Sequence, residues 1–379
     1  MIFDYETLRI IWWAFLGALL IGFAITGGFD LGVGVLLPFL GKNDDERRVI
    51  INAIGPTWEG NQVWFVMSGG ALFAAWPMAY AVSFSSMYFA LLLTLFAMFL
   101  RPLGFDYRGK LPDQKWRGNW DKALFIGAVV PALVFGVAFG NLLKGIPFLL
   151  ENDMRIVYFG NFWGLLNPFS LLAGLISLSL FIMHGAVYLQ IKTEGDIYDR
   201  AKKVAVIFTL IALVLFALAG YWISFLDGYH ISSEIFPNGP SNPLLKTVKQ
   251  EPGLWLDNYG HLPDLWMVPA SAFLSGLILI VLSLINRPGS AFVFSSFIII
   301  AVILTGGCSM FPFIIPSSIS LNSSLTVWDS SSSPMTLNIM FWVTVIFLPL
   351  IVVYTSWVFR VLRGKITVEK IHKNNHTLY

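Results

Sequence analysis

The chain has 379 residues, 56% of them hydrophobic and only 12% charged, about half the charged fraction that covers a soluble domain in water. A net charge of +2, with no basic run interleaved with aromatics, gives no basis for nucleic-acid binding. The single cysteine, Cys308, lies in an apolar run, which excludes an internal disulfide and a cysteine-built metal cage and leaves core packing as its role.

Apolar runs of at least about 20 residues, enough to cross a hydrocarbon core of roughly 30 Å, recur along the sequence. The predicted fold is therefore an all-α integral membrane protein, a single polytopic domain over 1–379 with lipid as its solvent. In chain order, nine spans are predicted near 10–36, 51–75, 78–100, 122–143, 164–188, 204–226, 264–286, 290–312 and 338–360. Asp4 and Glu6 precede the first run without a basic region or a small-residue cleavage site, so this run is predicted to remain a span. The second run is the least apolar, because it carries Glu59, Asn61 and Gln62; without it, both termini would fall on one side.

Charge decides between nine spans and eight. With nine, five of the 24 Lys and Arg (Arg9, Lys144, Arg155, Lys246 and Lys249) fall on one side and the remaining nineteen on the other. The positive-inside rule then places the N-terminus outside and the C-terminus in the cytoplasm. The outer segments 227–263, rich in Pro, Gly and Asn, and 313–337, with clustered Ser, are predicted to be surface connections without a core of their own.

Gly28 with Gly32, and Gly136 with Gly140, are small-xxx-small pairs suited to close helix packing. A weak internal match sets GGFDLGVGVLLPF in the first span against HGAVYLQIK in the fifth, aligning Gly28 with Gly185. It suggests two four-helix units plus one additional helix.

An ionisable group at membrane depth costs about 3 kcal/mol on insertion scales, so each one is a candidate for function. The candidates are Asp30, Glu59 and His184. Glu59 sits among Trp58, Asn61, Gln62 and Trp64, and two readings of it stand side by side: a carboxylate that takes up and passes on protons, or one that knits helices together by hydrogen bonding. Asp30 is predicted to bond to backbone or to an arginine of the following loop. His184, near a helix end and lacking a second axial candidate, reads as a hydrogen-bonding or interfacial residue rather than a haem ligand. His230, His261, His372 and His376 fall in loops or the tail, without metal-site spacing on a helix. Phosphate-binding, dinucleotide and nucleophile-elbow motifs are missing, so nothing suggests an enzyme that is catalytic alone.

The sequence also resembles a known family from end to end. DYETLRIIWW (4–13), GFDLGVG (28–34), NDDERR (43–48), WEGNQVW (58–64), GGALFAAWP (69–77), RPLGFDYRGK (101–110), VAFGNLLKGIPF (137–148), FPFIIPSS (311–318), SLTVWDSSSS (324–333) and the terminal Tyr379 are similar to the second subunit of cytochrome bd ubiquinol oxidases. The resemblance implies quinol oxidation coupled to reduction of O₂ to water, with two haems b and one haem d held by the partner, subunit I. This chain would then bind none of them and would support assembly and proton or O₂ delivery. Small single-span subunits and a structural quinone are left open.

Matched position by position, Glu59 corresponds to an acid of a proton path at the subunit interface. Asp106, Lys110 and Tyr379 correspond to its cytoplasmic mouth, Asp30 is a further candidate on the path, and Trp64 corresponds to an aromatic beside an O₂ route. Gly27 stands where many members carry Asp, Glu59 where many carry Asp, and His184 where others often carry Gln. A second class of reading is a secondary transporter with a midplane site between broken spans.

Overall fold

A computed structural model describes residues 3–373. The helices are α1 (Tyr5–Leu40), α2 (Asp44–Ile54), α3 (Trp58–Ala75), α4 (Pro77–Ser86), α5 (Tyr88–Tyr107), α6 (Gln114–Lys144) and α7 (Pro168–Lys192). They continue with α8 (Gly195–Ile223), α9 (Asp257–His261), α10 (Met267–Leu284), α11 (Pro288–Met310), α12 (Pro334–Val361) and α13 (Val368–Lys373). Short polar side chains begin several of them. Asp4 accepts from the Thr7 amide at 3.1 Å and Asn43 from the Glu46 amide at 2.8 Å, satisfying helix-end donors that have no partner inside the helix.

Among the described residues, eight helices (α1, α5, α6, α7, α8, α10, α11 and α12) are long and apolar enough to cross a bilayer. The predicted 51–75 span is not one helix: α2 stops at Ile54, and a turn over 55–57 precedes α3. Pro56 has no amide to continue the ladder, and its ring disrupts the turn before it. The polar first turn of α3 keeps this helix out of the eight.

α3 runs antiparallel to α1. Asn61 meets Asp30 near one end, while at the other the Ala74 and Ala75 carbonyls accept from the Ser332 hydroxyl and amide, and Tyr5 of α1 bonds the Ser332 carbonyl. The predicted 78–100 span is also divided, into α4 and α5. Trp76, at φ −135° and ψ 72°, is held out of the helix by the proline after it, and α4 begins at that Pro77.

α1 packs on α3 and α6, with α5 on α6; α7 packs on α8 and α11, with α10 on both of those. α12 lies against α1 and α3 and is mostly exposed. The two groups meet where α1 and α6 pack on α7. A Cβ on Gly32 would stand 1.8 Å from the Phe181 carbonyl oxygen, and one on Gly185 would stand 2.6 Å from the Gly32 carbonyl carbon, so only hydrogen fits at either position.

The connections at the N-terminal end of α1 are more than surface loops. β1 (Phe148–Leu150) pairs with β2 (Ile156–Tyr158), β3 (Asp227–Ile231) with β4 (Val248–Pro252), and β5 (Phe313–Ile315) with β6 (Leu325–Thr326), all antiparallel. Tyr229, Val248, Trp255 and Phe313 are buried together against Leu143 and Phe169. No one segment has the apolar content for this core, because several segments and helix ends pool it. Arg9, fully buried, ties the cap to α1 by donating to the Ser331 hydroxyl at 2.8 Å, the Ser241 hydroxyl at 2.9 Å and the Gly239 carbonyl at 3.1 Å.

The opposite end is ionic. Arg108 reaches Asp121 at 2.6 Å and Asp44 at 2.8 Å, Arg47 reaches Asp121 at 2.8 Å, and Arg200 reaches Glu46 at 2.7 Å. These pairs bind α2 to the ends of α5, α6 and α8.

Candidate functional site

The turn that ends α2 delivers Trp58 and Glu59 to the first turn of α3. The Trp58 indole stacks on Phe105 of α5 with ring centroids 5.2 Å apart and planes 18° from parallel. That contact brings the chain around Glu59 alongside the chain around Asp106. Glu59 is exposed and has no hydrogen-bond or ion-pair partner among the described residues. Its helical face continues with Val63, Val66 and Phe73, which are 44%, 70% and 59% exposed, so a lone carboxylate heads an otherwise apolar stripe. Any desolvation of Glu59 must therefore come from a surface laid over this stripe, and not from the chain's own packing.

The buried face of the same turn holds the bond between Asn61 and Asp30. The Asn61 amide donates to Asp30 Oδ2 at 2.7 Å, and both side chains are enclosed. The expected partner of Asp30, backbone or a loop arginine, gives way to an amide from another helix, because α3 returns alongside α1. Asp30 Oδ1 has no hydrogen-bond partner among the described residues.

Arg101 of α5 is 2% exposed and interacts electrostatically with Asp30, yet forms no direct ion pair with it. Among the described residues neither terminal guanidinium nitrogen has a hydrogen-bond partner, and the guanidinium carbon lies 5.5 Å from the Trp58 ring. In the sequence Arg101 falls among the nineteen Lys and Arg that flank the spans on the cytoplasmic side. The structure puts it inside, because α5 runs on for six residues past it to Tyr107.

Asp106 and Lys110 are both exposed at the ionic end, on either side of Arg108. Arg108 is 4% exposed and clamped between Asp121 and Asp44, so it anchors the segment that presents the other two. Tyr379 lies outside the described residues. Trp64 is half-buried, its ring lying on Gly22 of α1, where a Cβ would stand 2.6 Å from the indole.

His184 is fully enclosed. Its Nδ1 bonds the Ser295 hydroxyl at 2.7 Å, its Nε2 bonds the Ile25 carbonyl at 3.0 Å, and its ring stacks on Phe292 at 4.5 Å. Both nitrogens are committed to neighbouring helices, so His184 does not fit the part of an axial haem ligand.

Residues 8–362 match the family described as cytochrome bd terminal oxidase subunit II. The chain is 51% identical over 377 residues to cytochrome bd-I ubiquinol oxidase subunit 2 of Escherichia coli K12, covering 99% of this chain and 100% of that one. It is 50% identical over 376 residues to the probable cytochrome oxidase subunit 2 of Haemophilus influenzae, with the same coverage of 99% and 100%. Its fold matches a chain in the structure of bd oxidase from Geobacillus thermodenitrificans with a TM-score of 0.71 at 17% identity, over 94% of this chain and 98% of that one. On the strength of the end-to-end match, the chain belongs to the cytochrome bd terminal oxidase subunit II family.

Proposed function

We propose that the chain works as the haem-free second subunit of a bacterial inner-membrane quinol oxidase, beside a haem-bearing subunit I, and that its own share is assembly together with proton and O₂ delivery. Ubiquinol, named for the Escherichia coli relative, is the proposed electron donor. The haems of subunit I supply the redox chemistry; this chain contributes packing surface and proton-carrying side chains.

One observation carries the reading: Glu59 stands exposed and unpaired at the head of the apolar stripe of α3. A carboxylate facing lipid costs about 3 kcal/mol, so this stripe suits a protein partner better than acyl chains. Covered by subunit I, Glu59 becomes an interface carboxylate beside the α5 end that presents Asp106 and Lys110. In the proposed route protons enter at Asp106, Lys110 and Tyr379 and pass to Glu59. Trp64 is assigned to the O₂ route by resemblance.

The proposed topology has nine crossings, with α3 completing the second, the N-terminus outside and the C-terminus in the cytoplasm. The antiparallel run of α3 on α1 and the charge asymmetry support it. Purification through a tag on this chain tests the assignment. A reduced-minus-oxidised spectrum with a haem d band and quinol-dependent O₂ uptake is expected. A colourless preparation that retains its partners would overturn it.

A further inference from the structure

A void of ≈ 10 Å³ lies where α1, α2, α5 and α6 meet. Arg101 lines it, with Val33, Gly34 and Leu37 from α1, Phe105 from α5 and Leu124 from α6. Asp30 stands three, four and seven residues before those α1 positions and shares their helical face, and Arg101, which lines the void, interacts with it electrostatically. The volume corresponds to about one water.

A guanidinium stays charged and needs acceptors, and leaving its nitrogens unbonded in an apolar wall costs several kcal/mol. Asp30 Oδ1, which needs a donor, faces the same shortage. Because Arg101 is enclosed by this chain alone, a partner subunit laid on the surface cannot supply what is missing. A small enclosed molecule can, and water is both donor and acceptor.

We propose that this void is a resident water site joining Arg101 to Asp30, and that the hydrated pair positions the turn carrying Glu59. Asp30 holds Asn61, two residues beyond Glu59, while Arg101 lies beside Trp58, immediately before it. The pair thus grips the Glu59 turn from both sides without touching the carboxylate. The water assignment stands on packing alone; the positioning role rests on the proton-delivery reading of Glu59.

The two parts are tested separately. A cryo-EM map of the purified wild-type complex, at a resolution that shows ordered water, should contain density in the void within hydrogen-bonding distance of Arg101 and Asp30 Oδ1. A dry void, or the guanidinium packed directly on the carboxylate, overturns the water site. For the positioning role, Arg101→Met complexes selected for full haem content should lose turnover by about tenfold, as when a supporting residue is removed from a working group, and their pH profile should shift. Arg101→Lys should recover part of that loss.

If Glu59→Gln impairs turnover while full-haem Arg101→Met leaves turnover and pH profile unchanged, the positioning role is wrong and proton delivery stands. If Glu59→Gln is itself without effect, proton delivery and positioning both fail, and the map alone decides the water site.

Discussion

Asn61 on α3 and Asp30 on α1 share a 2.7 Å hydrogen bond between two enclosed side chains, and that bond fixes where the polar start of α3 sits against the first span. Asn61→Leu removes the one hydrogen bond that the Asp30 carboxyl group receives from another side chain among the described residues. The predicted cost is about 1–3 kcal/mol, read as a lower unfolding midpoint of the purified complex, while Gln62→Leu, which breaks no bond among the described residues, should cost less.

The α1–α7 crossing predicts a sharp contrast between glycines. Gly32→Ala would drive a methyl group into the Phe181 carbonyl, so the helices must separate, at a cost of about 1–3 kcal/mol or more. Gly220→Ala in α8 has open space around its Cβ position and should be neutral or slightly stabilising. The yield of assembled complex and its thermal midpoint check both.

Much of this was legible in the sequence, and the parts that were not have physical causes. Apolar length located the long helices, and lysine and arginine asymmetry made a case for a second crossing that hydropathy alone misses. Pro56, which interrupts the second run, was in plain view; its break disappeared because a hydropathy window averages over a turn, and the third run divides at Met87, where no proline marks the break. Glu59 drew attention as a buried carboxylate, but burial belongs to Asp30, since which side of a helix faces inward depends on neighbours far away in sequence. Arg101 was missed for a related reason: an arginine at the end of an apolar run looks like a flanking charge until the helix is seen to continue beyond it.

The ionic end should show a defined pH response. The Arg200 guanidinium, bonded to Glu46 at 2.7 Å, lowers the Glu46 pKa below its ordinary 4.5. The folded value lies below the unfolded one, so the stabilisation is complete above about pH 4.5 and fades as pH falls through the folded value. Arg200→Gln should flatten that part of the acid limb in unfolding experiments and leave the slope near neutrality unchanged.

On the outer cap, Lys246 meets Asp329 at 2.9 Å, and the two side chains are only 8% and 13% exposed. Lys246→Met strands the carboxylate and should cost about 3–5 kcal/mol. The double variant Lys246→Met with Asp329→Leu should recover much of that loss, because neither buried charge is then left without its partner. Thermal midpoints of the four combinations measure the coupling.

The proposed role of Glu59 in carrying protons across the junction with subunit I is checked by quinol oxidase turnover of the Glu59→Gln complex, normalised to haem content. Turnover should fall at least about tenfold, at the low end of what proton-transferring groups contribute, with haem content and assembly at wild-type levels. Wild-type turnover in the variant, or a loss of activity that follows a loss of haem d, would contradict it.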